Sequence, residues 1–256
     1  MTIILGSRSP RRRELLELLV PAERIVVLPP SSAGEPGFDG LADRAAILDR
    51  LSGIARAKCD DVSARCAALA ESLPGVQNAD TTGRLTPTAR LIVVAADTVI
   101  VAEDARGRPV VLGQPPEDDG GETVRRWFRE YLFGRTHEAI TALCVASLDS
   151  NAPAAESRHP SLVTRHTRSP VERTVTTRVT FRNRDDALLE WYIATGEPFG
   201  KAGAYGIQGA GSVFATRIDG SLSNVIGLPL EALREMLEAF ETNRSNVQSR
   251  KGLGNA

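Results

Sequence analysis

Cysteine, histidine and aromatic residues are scarce in this chain, and each scarcity closes off a class of function. The three cysteines, Cys59, Cys66 and Cys144, form no C-x-x-C pair and are odd in number. A disulfide framework is therefore not expected, and a reduced, cytoplasmic protein is the simplest reading. The three histidines, His137, His159 and His166, have no ligand spacing, which argues against structural zinc. No apolar run reaches the roughly 18–20 residues that span a bilayer, and no signal-peptide pattern opens the chain. No membrane partner is expected. The 31 Lys+Arg against 32 Asp+Glu give a net charge of −1, so no global field draws the chain to nucleic acid. The basic residues at 8–13 also lack interleaved aromatics, so no nucleic-acid partner is expected. Any anion binding must be local.

What remains is an ordinary globular composition, 42% hydrophobic and 25% charged over 256 residues. That length suits one large domain or two small ones. Strand and helix patterns follow one another along the chain. Residues 2–6 read as a strand, 10–20 as a helix and 23–29 as a second short strand. A Pro/Ser/Gly-rich loop follows, and helical periodicity runs over 43–59 and extends toward 60–70. Residues 71–88 read as a polar loop, 91–101 as a strong strand, and 103–109 as a turn into a hairpin. Further on, the patterns predict a helix over 117–133 and a strand over 137–147. An exposed insertion follows over 148–170, then a strand over 174–181. Asn183 caps a predicted helix over 184–195, and a strand is expected near 213–218. Gly227-Leu228-Pro229 opens a last helix to about 241, and the tail from Asn243 reads as frayed.

Three segments carry chemistry. The first is Gly6-Ser7-Arg8-Ser9-Pro10-Arg11-Arg12-Arg13, at a strand–turn–helix junction. Ser9 suits the N-cap and Pro10 the first helical position. Cations at a helix start oppose the macrodipole, at roughly 0.3–1 kcal/mol each. An anion such as phosphate explains them; a solvated basic helix start is the alternative. The second segment is Ala96-Asp97-Thr98, which places a carboxylate inside an apolar strand. A carboxylate there needs pairing, hydrogen bonds or a metal, unless it merely starts a turn. The third is Lys201-Ala202-Gly203-Ala204-Tyr205-Gly206-Ile207-Gln208-Gly209. Closely spaced glycines let backbone approach a ligand, Lys201 offers a point charge for phosphate, and Gln208 offers a donor and an acceptor. A plain flexible loop fits the same pattern. Lys58 lies near the end of its helix, where lysine is also simply stabilising. Composition leaves Glu35 as a metal ligand or a solvated loop residue.

Taken in order, five motifs resemble the Maf family. They are Ser7-x-Ser9-Pro10-Arg11-Arg12, Ala55-x-Ala57-Lys58, Ala96-Asp97-Thr98-Val99, the glycine-rich segment 201–209, and Asn224-Val225-Ile226-Gly227-Leu228-Pro229-Leu230. The resemblance spans most of residues 2–240 and is weakest over 60–90 and 148–172. It implies an α/β, inosine-triphosphatase-like fold: a central mixed twisted sheet flanked by helices, with a cleft between two lobes. It also implies one domain over 1–242, with insertions near 60–90 and 148–172 and a flexible tail over 243–256. The implied activity is hydrolysis of a nucleoside triphosphate to the monophosphate and pyrophosphate. Ser7, Ser9, Arg11 and Arg12 would hold the triphosphate, and Lys58 and Lys201 would add charge at the reacting centre. Asp97 would be the catalytic carboxylate or a ligand of a divalent metal, Mg²⁺ or Mn²⁺, with Glu35 as a second acidic group. Thr98 and Gln208 would contribute to nucleotide selection, and they favour the branch acting on dTTP and UTP. A homodimer is expected on the same ground.

One departure stands out. Members of the family usually carry Gly-Lys-Pro after the hairpin, and this chain has Gly113-Gln114-Pro115. A lost charge-assisted contact is worth roughly 1.5–3 kcal/mol, or about 10–150-fold in rate. Arg106 or Arg108 is a candidate substitute. Otherwise the chain is slow or prefers another substrate. The alternatives are a 7-methyl-GTP pyrophosphatase and a catalytically weak nucleotide-binding regulator of cell division.

Overall fold

The computed structural model describes residues 1–31, 34, 36–41, 43–68, 78–79, 85–86, 91–149, 166–167 and 169–240. In chain order the elements are β1 (Thr2–Gly6), α1 (Pro10–Glu17), β2 (Ile25–Val27), α2 (Arg44–Ala68), β3 (Asn78–Ala79) and β4 (Leu85–Thr86). Then come β5 (Leu91–Glu103), β6 (Pro109–Leu112), α3 (Glu122–Trp127), β7 (Thr136–Asp149), β8 (His166–Thr167) and β9 (Val171–Phe181). The last are α4 (Asp186–Ala194), β10 (Ala215–Asp219), α5 (Leu222–Ile226) and α6 over residues 230–240. An eight-stranded mixed sheet runs β10-β9-β7-β5-β1-β2, with β6 on β5 and β8 on β7. β1 pairs in parallel with β2 and β5, while β7, β9 and β10 join antiparallel.

Side chains alternate across this sheet with period two, and each face has its own cover. Ile4, Val93, Ala95, Ala142 and Cys144 meet the buried stripe of α2, formed by Ile47, Leu51, Ala55, Cys59, Val62 and Cys66. Ile3, Leu5, Ile92, Val94, Leu143 and Val145 meet Leu15 and Leu16 of α1 and Leu233, Met236, Leu237 and Phe240 of α6. Burial on both faces explains why β1 and β5 are apolar at nearly every position. A third cluster gathers Phe128, Phe181, Tyr192, Tyr205 and Phe214 around Ile100, Ala102 and Leu112. It forms a second lobe against the far end of β5.

Several boundaries differ from the sequence reading. α2 does not: it runs to Ala68, within the extension expected toward 60–70, because Cys59, Val62 and Cys66 continue its buried stripe. The helix expected over 117–133 starts at Glu122. Gly120 and Gly121 hold φ of 61° and 81°, and the Asp119 carboxylate accepts from the Gly121 and Thr123 N–H groups, both at 2.9 Å. α4 is capped by Asp185, whose carboxylate accepts from Leu188 N at 3.0 Å, rather than by Asn183. The segment before Pro229 forms its own short helix, α5, ended by Gly227 at φ 128°. The expected loop over 71–88 contains the β3–β4 pair. The proposed insertions lie largely outside the described residues, as does the tail 243–256.

The register of β5 places the site. On one edge, β1 pairs with Leu91 through Ala95, and β6 pairs with Ile100 through Glu103. Among the described residues, Ala96 through Val99 have no partner strand on that edge, although β7 pairs with Leu91 through Val101 on the other. The sheet therefore opens where β1 ends, and Asp97 and Thr98 sit in the opening. Being adjacent, they point to opposite faces.

Candidate active site

A cavity of about 630 Å³ fills this opening. It brings together Ser7, Ser9, Arg11, Arg12, Lys58, Asp97, Thr98, Lys201 and Gln208, but neither Arg106 nor Arg108. Glu35 lies outside the described residues.

The turn from β1 to α1 supplies one wall. Ser9 occupies the N-cap position and Pro10 follows it, but the Ser9 hydroxyl makes no capping bond. Instead Ser9 N donates to the buried Ser7 hydroxyl at 3.1 Å, which tightens the turn. Arg8 and Arg11 line the cavity, and Arg8 Nη2 donates to Pro30 O at 2.9 Å. Arg13 instead pairs with Glu17 on the outer face of α1, at 2.8 Å. Arg12 braces the wall. Its Nε donates to Gly227 O at 2.8 Å, its Nη2 to Thr98 Oγ1 at 3.0 Å and its Nη1 to Ser7 Oγ at 3.4 Å. One guanidinium thus ties together β1, β5 and the end of α5. Thr98 passes the tie inward to Thr141 Oγ1 at 2.9 Å.

On the opposite face of β5, Lys58 Nζ donates to Asp97 Oδ1 at 2.7 Å. The two side chains are only 12% and 13% exposed, so the pair is shielded far more than a surface salt bridge. The alternative in which Asp97 merely starts a turn fails, because β5 continues to Glu103. Among the described residues Asp97 Oδ2 has no hydrogen-bond partner.

The glycine-rich segment forms the third wall. Gly203 stands at φ 69°, and its N–H donates to Gly113 O at 2.9 Å. A Cβ there would meet Ile100 Cγ1 at 2.7 Å, so the position requires glycine. Burial pulls the Lys201 ammonium below the usual lysine range; nearby Glu197 opposes that shift and Arg11 adds to it. Lys201 Nζ donates to Glu197 O at 2.5 Å. Gln208 lines the cavity, and its amide makes no hydrogen bond to another described residue. Gln114 lines it too. Neither Arg106 nor Arg108 does, and Arg108 is ion-paired with Asp104 in the hairpin turn at 2.7 Å. They do not replace the missing lysine.

Two residues in or behind the cavity wall escaped the sequence reading. Glu197 lines the cavity and accepts from Ala210 N at 2.7 Å and Gly211 N at 3.0 Å. His137 is buried behind Tyr205, with its Nε2 2.9 Å from the tyrosine hydroxyl. Burial pushes the imidazole down to about 3, so it is neutral at ordinary pH. The only sequence signal for Glu197 was its place at the foot of the glycine run. His137 offered none.

No three His, Cys, Asp or Glu side chains cluster as a metal site among the described residues. Asp97, which lines the cavity and has one carboxylate oxygen without a partner among the described residues, fits a magnesium-like ion that takes one protein carboxylate and completes its shell with ligand oxygens. No helix among the described residues is long and apolar enough to cross a membrane.

An open-edged mixed sheet, with arginines and lysines converging on an ion-paired carboxylate, defines an α/β protein with a basic cleft. The chain belongs to the Maf family: the family model described as Maf-like protein matches residues 2–240. It is 33% identical over 235 residues to the dTTP/UTP pyrophosphatase of Anaeromyxobacter sp. (strain Fw109-5), covering 92% of this chain and 87% of that one. It is 36% identical over 239 residues to the protein of the same name from Moorella thermoacetica, covering 93% and 94%. To that of Syntrophomonas wolfei it is 39% identical over 152 residues, covering 59% and 67%.

Proposed function

We propose that this chain hydrolyses nucleoside triphosphates to the monophosphate and pyrophosphate, with dTTP, UTP or modified pyrimidine nucleotides as substrates. The observation that carries the reading is the cavity where Lys58–Asp97 faces Arg8, Arg11 and Lys201 across the open edge of β5. The names of the relatives support the reaction and the substrate class. Ser7, Ser9, Arg11 and the braced Arg12 form the wall for the triphosphate. Lys58 and Lys201 add charge where the leaving pyrophosphate develops it. Asp97 Oδ2 orients the attacking water. The water oxygen bonds to the α-phosphorus while the bond to the α–β bridging oxygen breaks. Pyrophosphate leaves with the electron pair, and Asp97 accepts the water proton. A divalent cation, Mg²⁺ or Mn²⁺, would offset phosphate charge; where it takes Asp97 Oδ2 as a ligand, the water proton would go to solvent instead. Gln208 reads the base edge. The same reading includes one domain over 1–242, a homodimer and a cytoplasmic location.

The test is pyrophosphate release from dTTP, UTP, CTP, GTP and 7-methyl-GTP with Mg²⁺ or Mn²⁺. The expected result is turnover led by dTTP and UTP, reduced about 10²–10⁴-fold by Asp97→Asn. Full activity in that variant, or none in the wild type, sinks the proposal. Thermal stabilisation by a triphosphate without any product would point to a nucleotide-binding regulator instead.

A further inference from the structure

Glu197 is out of place by simple electrostatics. It lines a cavity whose other walls gather Arg8, Arg11, Lys58 and Lys201, yet a carboxylate there repels a polyanion. Its hydrogen bonds explain its presence, because both oxygens turn into the protein. Oε2 accepts from Ala210 N at 2.7 Å, and Oε1 accepts from Gly211 N at 3.0 Å and from the Tyr192 hydroxyl at 3.4 Å. Its own carbonyl takes Lys201 Nζ at 2.5 Å, and its own N–H donates to Thr195 Oγ1 at 3.1 Å. The backbone from Gly206 to Gly211 curls around this carboxylate. A Cβ at Gly209 would lie 2.7 Å from Glu197 Cδ, and one at Gly206 would lie 3.0 Å from Oε1. A Cβ at Gly211 would lie 3.0 Å from the Tyr192 hydroxyl. Gly209 thus has to be glycine because of Glu197 itself, while a Cβ at Gly206 would also meet Lys201 Cε at 2.9 Å and one at Gly211 would meet Gly206 O at 2.9 Å. Gln208, between them in sequence, lines the cavity wall.

We infer that Glu197 is a positioning residue for substrate selection: its carboxylate holds the 206–211 curl closed, and so fixes where Gln208 meets the base of the nucleotide. This rests on the proposed nucleotide hydrolysis. Glu197 touches neither the phosphates nor the reacting atoms in that reading. Its carboxylate also favours the Lys201 ammonium, so its loss should loosen recognition of the base most and slow bond cleavage only through Lys201.

The experiment compares wild type with Glu197→Gln, which keeps the shape and one acceptor oxygen. Two readouts are taken: amide hydrogen exchange over 206–211 in nucleotide-free protein, and kcat and KM for dTTP, UTP, CTP and GTP. The expected result is faster exchange, a KM for the preferred triphosphate raised roughly tenfold, and a flattened preference among bases, with kcat at neutral pH falling by less than KM rises. If Glu197→Gln fails to fold, Tyr192→Phe removes the third contact and should shift both readouts in the same direction by less. Unchanged exchange overturns the inference, as does faster exchange with base preference intact. Absence of turnover in the wild type overturns the proposed function instead. Base preference is then read by displacement of a fluorescent triphosphate analogue, and its persistence in Glu197→Gln overturns the inference by itself.

Discussion

Lys58 and Asp97 meet at 2.7 Å across the open edge of the sheet, with both side chains almost closed to solvent. Residues that act as a unit give non-additive losses. Lys58→Gln should lower kcat/KM for dTTP by about 10–10³-fold. Combining it with Asp97→Asn should cost little more than Asp97→Asn alone. Steady-state pyrophosphate release from the four proteins measures this, and losses that simply multiply would show two independent residues.

Behind Arg12 a buried hydroxyl chain carries the brace into the core. Thr98 Oγ1 contacts Thr141 Oγ1 at 2.9 Å, and Thr141 Oγ1 donates to Asn224 O at 3.4 Å. Thr141 is fully buried and does not line the cavity. Thr141→Val keeps the volume and removes both bonds, so stability should fall by about 1–2 kcal/mol. KM should rise because Arg12 and Thr98 lose their backing. Urea unfolding together with steady-state kinetics checks both halves. A stability loss with KM unchanged would limit the chain to a structural role.

Much of this arrangement was legible in the sequence because local chemistry encoded it. Arg8, Arg11 and Arg12 crowd a strand–turn–helix junction, and Asp97 interrupts an apolar strand; both anomalies needed a ligand or a partner. Which partner Asp97 takes was not local, since Lys58 arrives from α2 through the packing of its stripe on β5. Glu197 was missed for the same reason: an acidic residue at the foot of a glycine run gains its meaning only when the chain curls around it. The capping error at α4 arose because Asn183 and Asp185 are both good caps. The structure chose the one whose carboxylate reaches Leu188 N.

His137 gives a test of stability against pH. Its imidazole is neutral when folded, pushed down to about 3 by burial, whereas an unfolded histidine titrates near 6.5. Between those values the unfolded chain binds the extra proton. Stability attributable to His137 is therefore complete above about pH 6.5 and is lost as pH falls, by up to about 1.4 kcal/mol per unit. Denaturant midpoints at pH 7.5, 6 and 5 for wild type and His137→Gln should diverge at the top and converge at the bottom. Parallel pH slopes in the two proteins would remove histidine from the account.

Lys201 gives the matching test on catalysis. Its ammonium is disfavoured by burial first and by Arg11 as well, with Glu197 opposing them, and the balance lowers it below the usual lysine range. The charged form exists below the pKa, so a lowered value means the charge is lost at a lower pH than in a free lysine. In kcat/KM, which reports the free enzyme, activity should fall on an alkaline limb below about 10.4. Bound triphosphate adds negative charge beside the ammonium and favours its protonated form. The limb in kcat should therefore sit higher than the limb in kcat/KM. Lys201→Arg keeps the cation charged throughout and should abolish the difference, with a lower rate because a guanidinium does not reproduce the compact ammonium contact with Glu197 O. If wild type and variant share one alkaline limb, another group sets it, and Lys201 is not the cation that the phosphates meet.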